Sequence, residues 1–218
     1  MKSSLKYAIV VAATALSGPA MAETLNPDSY SFDQSTSNGT FGYSDPSLSK
    51  LTDGVTGNAG WGHSGGVEWV GWNGKPTVNI DFLFESFVQV ASITFYTAQN
   101  SLGDVTFPSL QVFSSTDGID WVLQKTLTVP ADSANNTDYM DGGPAPSLVV
   151  DGLNFVSQYV RVAALANGPW TFASEVTFEG SSVAVPGPEA GAGLGALALG
   201  SIALWAARRR RISDGLAG

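Results

Sequence analysis

The sequence contains no cysteine and a single histidine, His63. The first absence excludes a disulfide framework, a thiol nucleophile and a thiolate metal site. The second excludes an intrachain zinc centre built on histidines. It also leaves any Ser–His–Asp triad dependent on His63, which stands in a Gly-rich stretch without a nucleophile-elbow motif. Charge is sparse too, at 13% of residues. Between Glu23 and Ser182 only Lys50, Lys75, Lys125 and Arg161 are basic, against 17 acidic residues, a net charge of −13. Nucleic acid is therefore not an expected partner, because its phosphates need Lys and Arg. An acidic surface suits a neutral polysaccharide or bound cations; its plainer meaning is solubility. Amphipathic helical stretches of useful length and internal repeats are also missing.

What remains is a turn-rich β pattern. The 218 residues hold 25 Gly, 11 Pro and 6 Trp, room for one ordinary domain plus targeting segments. In Val78 to Phe84, the side chains of Val78, Ile80, Phe82 and Phe84 fall on one face. Ala91, Ile93 and Phe95 repeat the pattern, as do Leu110 with Val112, Val160 with Val162, and Val176 with Phe178. Such alternation marks half-buried strands. Asp53-Gly54, Asn73-Gly74, Asp117-Gly118, Gly142-Gly143-Pro144 and Gly168-Pro169 mark the turns between them. The expected fold is all-β, a jelly-roll β-sandwich of about eight antiparallel strands. A jelly roll this small has no second layer to form a deep cleft, so no enzyme is expected. Trp121, after its Asp-Gly turn, is expected in the core, and Arg161 is expected to pair with Glu179 or Asp81 across a sheet.

Both chain ends read as addresses. Lys2 and Lys6 precede an apolar stretch, Tyr7 to Leu16, then Gly18, Pro19 and Ala20-Met21-Ala22. This is the layout of a secretory signal peptide, residues 1–22, cut between Ala22 and Glu23. The folded domain is then 23–182. Further on, Val185-Pro186-Gly187-Pro188-Glu189 leads into an uncharged run, Ala190 to Ala207, and then Arg208 to Arg211. A run of that length can just cross a bilayer as a helix, about 190–207. The basic cluster 208–211 would hold its end in the cytoplasm, with 212–218 as a short cytoplasmic tail. This tail, 183–211, resembles the PEP-CTERM sorting signal of Gram-negative bacteria, with Val-Pro-Gly-Pro-Glu where that signal reads Val-Pro-Glu-Pro. The resemblance implies processing by an exosortase-type enzyme, in cells that make extracellular polysaccharide. A plain tail anchor without processing is the alternative. The expected location is outside the cytoplasm, tethered at the inner membrane and then at the cell surface or in the extracellular matrix.

Within the domain, an ordered set of short signatures appears. They are Leu51-Thr52-Asp53-Gly54, Gly60-Trp61-Gly62-His63-Ser64, the Ile-Asp-Phe-type strand Val78 to Phe82, Ser114 to Trp121, Gln158 to Val162, and Trp170 to Val176. From about Asp45 to Gly180 the chain resembles the discoidin or F5/8 type C family, within the galactose-binding-like jelly rolls. The resemblance implies ligand-binding loops at one end of the sandwich and a structural calcium ion. That ion would be held by Asp53 and Glu175 with backbone carbonyls from about Lys50, Thr56 and Ala173, oxygen ligands that suit a hard cation. The plainer reading is that Asp53 caps a turn and Glu175 is a solvated strand residue.

Sugars present apolar C–H faces ringed by hydroxyls, so an exposed Trp takes the face while His and Asn take the hydroxyls. Trp61, His63, Trp69 and Trp72 crowd one Gly-rich region, and Tyr96, Asn100 and Trp170 could approach from neighbouring loops. Against this, Val67 to Val70 alternates like a strand, so part of this group is expected in the core. The expected function is non-catalytic recognition of extracellular polysaccharide. The alternative is a structural or adhesive protein of a biofilm matrix, acting through protein–protein contacts.

Overall fold

In a computed structural model, the structure describes residues 22–37, 42–57, 61, 68–99, 103–130 and 144–183. The signal peptide up to residue 21, His63, Asn100, the sorting motif 185–189, the apolar run 190–207 and everything after it lie outside the described residues. The described elements belong to the first of two units, residues 1–182 and 183–218. No helix among the described residues is long and apolar enough to cross a membrane.

The described fold is all-β and has ten strands where about eight were expected. They are β1 (Glu23–Leu25), β2 (Ser29–Phe32), β3 (Val70–Asn73), β4 (Thr77–Tyr96), β5 (Ser109–Ser115), β6 (Val122–Leu127), β7 (Ser147–Val150), β8 (Phe155–Leu165), β9 (Trp170–Ala173) and β10 (Glu175–Ser182). All pairings between them are antiparallel. The count rises because short edge strands and a ribbon, β3 with β9, carry too few residues for an alternation signal.

Strand β4 organises the molecule. Its first half pairs with β2 and β8, β8 stays paired as far as Val90 in the second half, and β8 continues to β5 and β6. Its second half pairs with β10 and β7, and β10 continues to β1. The ladder with β8 slips between Leu83 and Val88, a bulge that bends the strand from one layer into the other. A second slip lies in the β4–β10 ladder at Glu179/Gly180. There the backbones approach so closely that a Cβ on Gly180 would lie 1.9 Å from the Gln89 carbonyl oxygen.

The alternation read from the sequence is the core. Val78, Ile80, Phe82, Phe84, Leu110, Val112, Val160 and Val162 from one layer meet Ile93, Phe95, Val150, Val176 and Phe178 from the other in a single buried cluster. Phe82 and Phe178 meet edge to face across it, 4.8 Å between ring centroids. Burial of each such side chain contributes about 1.5–3 kcal/mol. Trp72 belongs to this core; Trp69 is equally buried, in a second, smaller cluster at the β3–β9 end. The expectation that these two indoles meet a ligand is corrected. Trp69 is 1% and Trp72 0% exposed, so neither ring face is open to a sugar. Trp121 is corrected in the other direction: it is half-buried and lies outside the core, over Arg161.

Candidate functional site

The second cluster is built where loops gather around the β3–β9 ribbon. On β9 the period of two puts Trp170 and Phe172 on one face, and Thr171 and Ala173 on the other, toward the main core. Phe172 is the centre. Trp170 lies nearly parallel to it, centroids 5.3 Å apart at 9°, and Trp61 likewise at 5.5 Å and 15°. Tyr43 meets Phe172 edge on at 4.8 Å and donates its hydroxyl to the Trp61 carbonyl at 3.0 Å. Gly71 makes room: a Cβ there would stand 2.5 Å from the Phe172 ring. Trp61, Trp170 and Tyr96 are half-buried and pack on this cluster. The expected sugar-stacking residues therefore separate. Trp61, Tyr96 and Trp170 share one end of the sandwich at its surface, and Trp69 sits beneath them.

Polar atoms are left unpaired at the same end. Gln99 Oε1, Thr106 Oγ1 and Trp61 Nε1 are buried with no hydrogen-bond partner among the described residues. Native proteins leave few such atoms, and each costs about 1–3 kcal/mol. Phe172, Tyr43, Gln99 and Thr106 were missed as site residues. The signal for Phe172 was present, since it stands two positions after Trp170 in a strand. Nothing in the sequence marks the other three.

Asp53 and Glu175 lie together. The loop after Leu51 is fastened to the start of β10 by hydrogen bonds that include Val176 N–H to the Leu51 carbonyl at 2.9 Å, Gly54 N–H to Glu175 Oε2 at 3.2 Å, and Gly57 N–H to Ser174 Oγ at 3.1 Å. Asp53 is exposed and does cap its turn, accepting from Val55 N–H at 2.9 Å. Glu175 is not a solvated strand residue. It is 3% exposed, and burial, together with the neighbouring Asp53 charge, pushes its carboxyl up to about 7. Two carboxyls in contact, one buried, must share a proton or a cation. Among the described residues no three of His, Cys, Asp and Glu gather, so a cation here would need backbone carbonyls as well. The Lys50 ammonium does not compete for this place. It donates to the carbonyls of Ser44 at 2.8 Å and Trp69 at 3.3 Å.

Arg161 pairs with Asp81, not Glu179. Its Nε and one terminal nitrogen donate to the two Asp81 oxygens at 2.6 and 2.8 Å. Trp121 covers the guanidinium, 4.2 Å from ring centroid to its carbon.

No family model matches this sequence, and no curated protein matches it. Solved structures do resemble the fold. One is the C-terminal domain of a chitobiase from Bacteroides fragilis, 14% identical, covering 74% of this chain and 100% of that domain, with a TM-score of 0.51. The likeness shows the fold. Others include a truncated AlyQ with CBM32 and alginate lyase domains, 11% identical, covering 77% of this chain and 35% of that one, TM-score 0.49. A pectin-binding carbohydrate-binding module is 12% identical, with 75% and 96% coverage and a TM-score of 0.48. The chain thus spans about a third of the two-domain AlyQ protein and nearly all of the single modules.

Proposed function

We propose that this chain is an exported, non-catalytic binding module that recognises extracellular polysaccharide. The carrying observation is the pair of half-buried indoles, Trp61 and Trp170, laid against Phe172 at the loop end of the sandwich. Indoles held nearly parallel on a rigid base can present flat apolar surface to sugar rings without losing side-chain freedom on binding. His63 and Asn100, read from the sequence, would take hydroxyls. The fold is shared with solved carbohydrate-binding modules, which are not enzymes, and we assign the chain no catalytic step.

A structural calcium ion fits the same reading. Asp53 and Glu175 would hold it with carbonyls from Lys50, Thr56 and Ala173, and a divalent charge would displace the proton that the buried carboxyl otherwise keeps. Bound there, it would pin the 51–57 loop to β10. The two chain ends support export and anchoring. The signal-like start, the PEP-CTERM-like tail and the four arginines together suit inner-membrane tethering and exosortase-type processing, then display at the cell surface or in the matrix of a Gram-negative bacterium.

A second reading, an adhesive or structural matrix protein, is favoured by one feature. Ile119 in the β5–β6 loop and Val122 and Leu123 at the start of the edge strand β6 are 78%, 60% and 50% exposed, and exposed apolar groups near an edge suit protein–protein contact. A glycan array probed with the full chain, with and without EDTA, separates the two. Calcium-dependent binding that Trp61→Ala and Trp170→Ala abolish supports the first reading. No glycan bound by the folded protein, with self-association in its place, overturns it.

A further inference from the structure

We infer a second sugar-binding site on the outer face of the β2–β4–β8 layer, in a cleft between β2 and Trp121. The cleft has a volume of about 250 Å³. Pockets for drug-sized ligands run to roughly 300–1,000 Å³, so this one takes a single ring or a chain end. Its walls are two half-buried aromatic side chains, Trp121 and Tyr159. Its polar groups are the exposed Ser29 and Ser31 on β2 and the Asp81 carboxylate on β4.

The strand register explains the gathering. Ser31, Asp81 and Arg161 are successive cross-strand partners on one row, and Ser29, Leu83 and Tyr159 on another. The loop between β5 and β6 closes the cleft and is stiffly held. Asp117 accepts from the N–H groups of Ile119 and Asp120 at 2.9 and 3.0 Å and from the Ser115 hydroxyl at 2.9 Å. Ser115 is itself tied to Ser157, whose hydroxyl donates to the Ser115 carbonyl at 2.7 Å. Gly118 packs on Tyr159 with φ +75. The aromatic walls are thus placed before any ligand arrives, which lowers the cost of binding.

The chemistry selects a neutral pyranose. Trp121 and Tyr159 supply ring faces for C–H groups. Each Asp81 oxygen already accepts from Arg161 but keeps a second lone pair for a sugar hydroxyl, and the serine hydroxyls donate or accept as required. The Asp81–Arg161 pair is neutral as a unit, and the domain around it carries −13, so an anionic sugar gains no attraction there. No residue lining the cleft belongs to the Trp61–Phe172–Trp170 cluster. The site extends the polysaccharide reading above but stands on different residues. Two weak sites on one chain would raise the strength with which it holds a polymer.

Saturation-transfer NMR on the full chain tests this, with methyl β-galactopyranoside, methyl β-glucopyranoside and methyl α-mannopyranoside as probes. Trp121→Ala removes one wall, and Ser31→Tyr fills the cleft from an exposed position without touching the core. Thermal melts confirm that each variant folds. The expected result is that at least one probe keeps a signal in Trp170→Ala and loses it at least fivefold in Ser31→Tyr and in Trp121→Ala. A folded Ser31→Tyr protein with the wild-type signal for every probe overturns the second site and leaves the loop-end site standing. A signal abolished by Trp170→Ala alone does the same. No transfer to any probe from the wild type overturns it also, while the glycan array still decides the loop-end reading.

Discussion

The sandwich core and the loop-end cluster are both rich in aromatic side chains, yet they are assembled by different rules. The core takes alternate residues from long strands and leaves Phe82, Phe95 and Phe178 with no exposed surface. The loop-end cluster takes Tyr43 and Trp61 from loops, Tyr96 from the end of β4, and Trp170 and Phe172 from the four-residue strand β9. It keeps its two outer indoles partly open and carries the unpaired polar atoms of Gln99, Thr106 and Trp61. The core is not wholly free of this, since Trp72 Nε1 and Thr171 Oγ1, on paired positions of the ribbon, also have no partner among the described residues. The lesson is one of purpose. Alternation along long strands maximises burial, whereas a cluster gathered from loops and strand ends gives up some burial to keep apolar surface at the outside.

That contrast can be tested, beginning with the largest effect. Phe82→Ala should cost about 3–5 kcal/mol in urea unfolding, the range for emptying a packed aromatic site, while the folded fraction keeps its glycan binding. Equal loss of stability in Trp170→Ala would erase the distinction. Next comes the carboxyl pair that fastens the loop to the sheet. Glu175 titrates near 7 in the folded chain against an ordinary 4.5. Its contribution is therefore full below pH 4.5 and is lost as pH rises through 7, because the unfolded chain releases the proton first. In EDTA, stability should fall by roughly 3 kcal/mol over that window. Glu175→Gln should flatten the profile, and calcium should restore stability above pH 7 in the wild type alone. A wild-type melting profile in EDTA that matches Glu175→Gln at every pH would remove the basis for the cation.

Trp170→Ala comes third, with about 1–2 kcal/mol lost because the ring is only half-buried, but with glycan binding reduced at least tenfold in titration calorimetry. Gly71→Ala should do the same from beneath, since its new methyl would push on Phe172. The smallest effect belongs to Gly118→Ala. Its left-handed φ of +75 costs about 1 kcal/mol for a residue with a Cβ, read as a small fall in melting temperature with the loop-end site unchanged.

Much of the fold was legible because its signal is local. Val78 to Phe84 and Leu110 to Val112 alternate in sequence, and they alternate in burial. The Asp53-Gly54 and Asp117-Gly118 turns fall where left-handed glycines stand. The site was less legible. Trp61, Trp69, Trp72 and Trp170 are the same residue type in similar Gly-rich surroundings, and only the pairing of Val70 to Asn73 with Trp170 to Ala173 turns Trp72 inward and Trp170 outward. Ten strands stood where about eight were expected because strands of three or four residues are too short to alternate visibly.

The sequence alone determined the chemistry available: no thiols, one histidine, few charges, a strongly acidic domain and strands written in period two. Those are properties of residue type and of neighbours along the chain. Tertiary structure decided which carboxyl is buried, which indole is open and which acid Arg161 meets. Each of these depends on segments more than seventy residues apart being brought into register, and a side chain's environment is set by whatever the fold places against it.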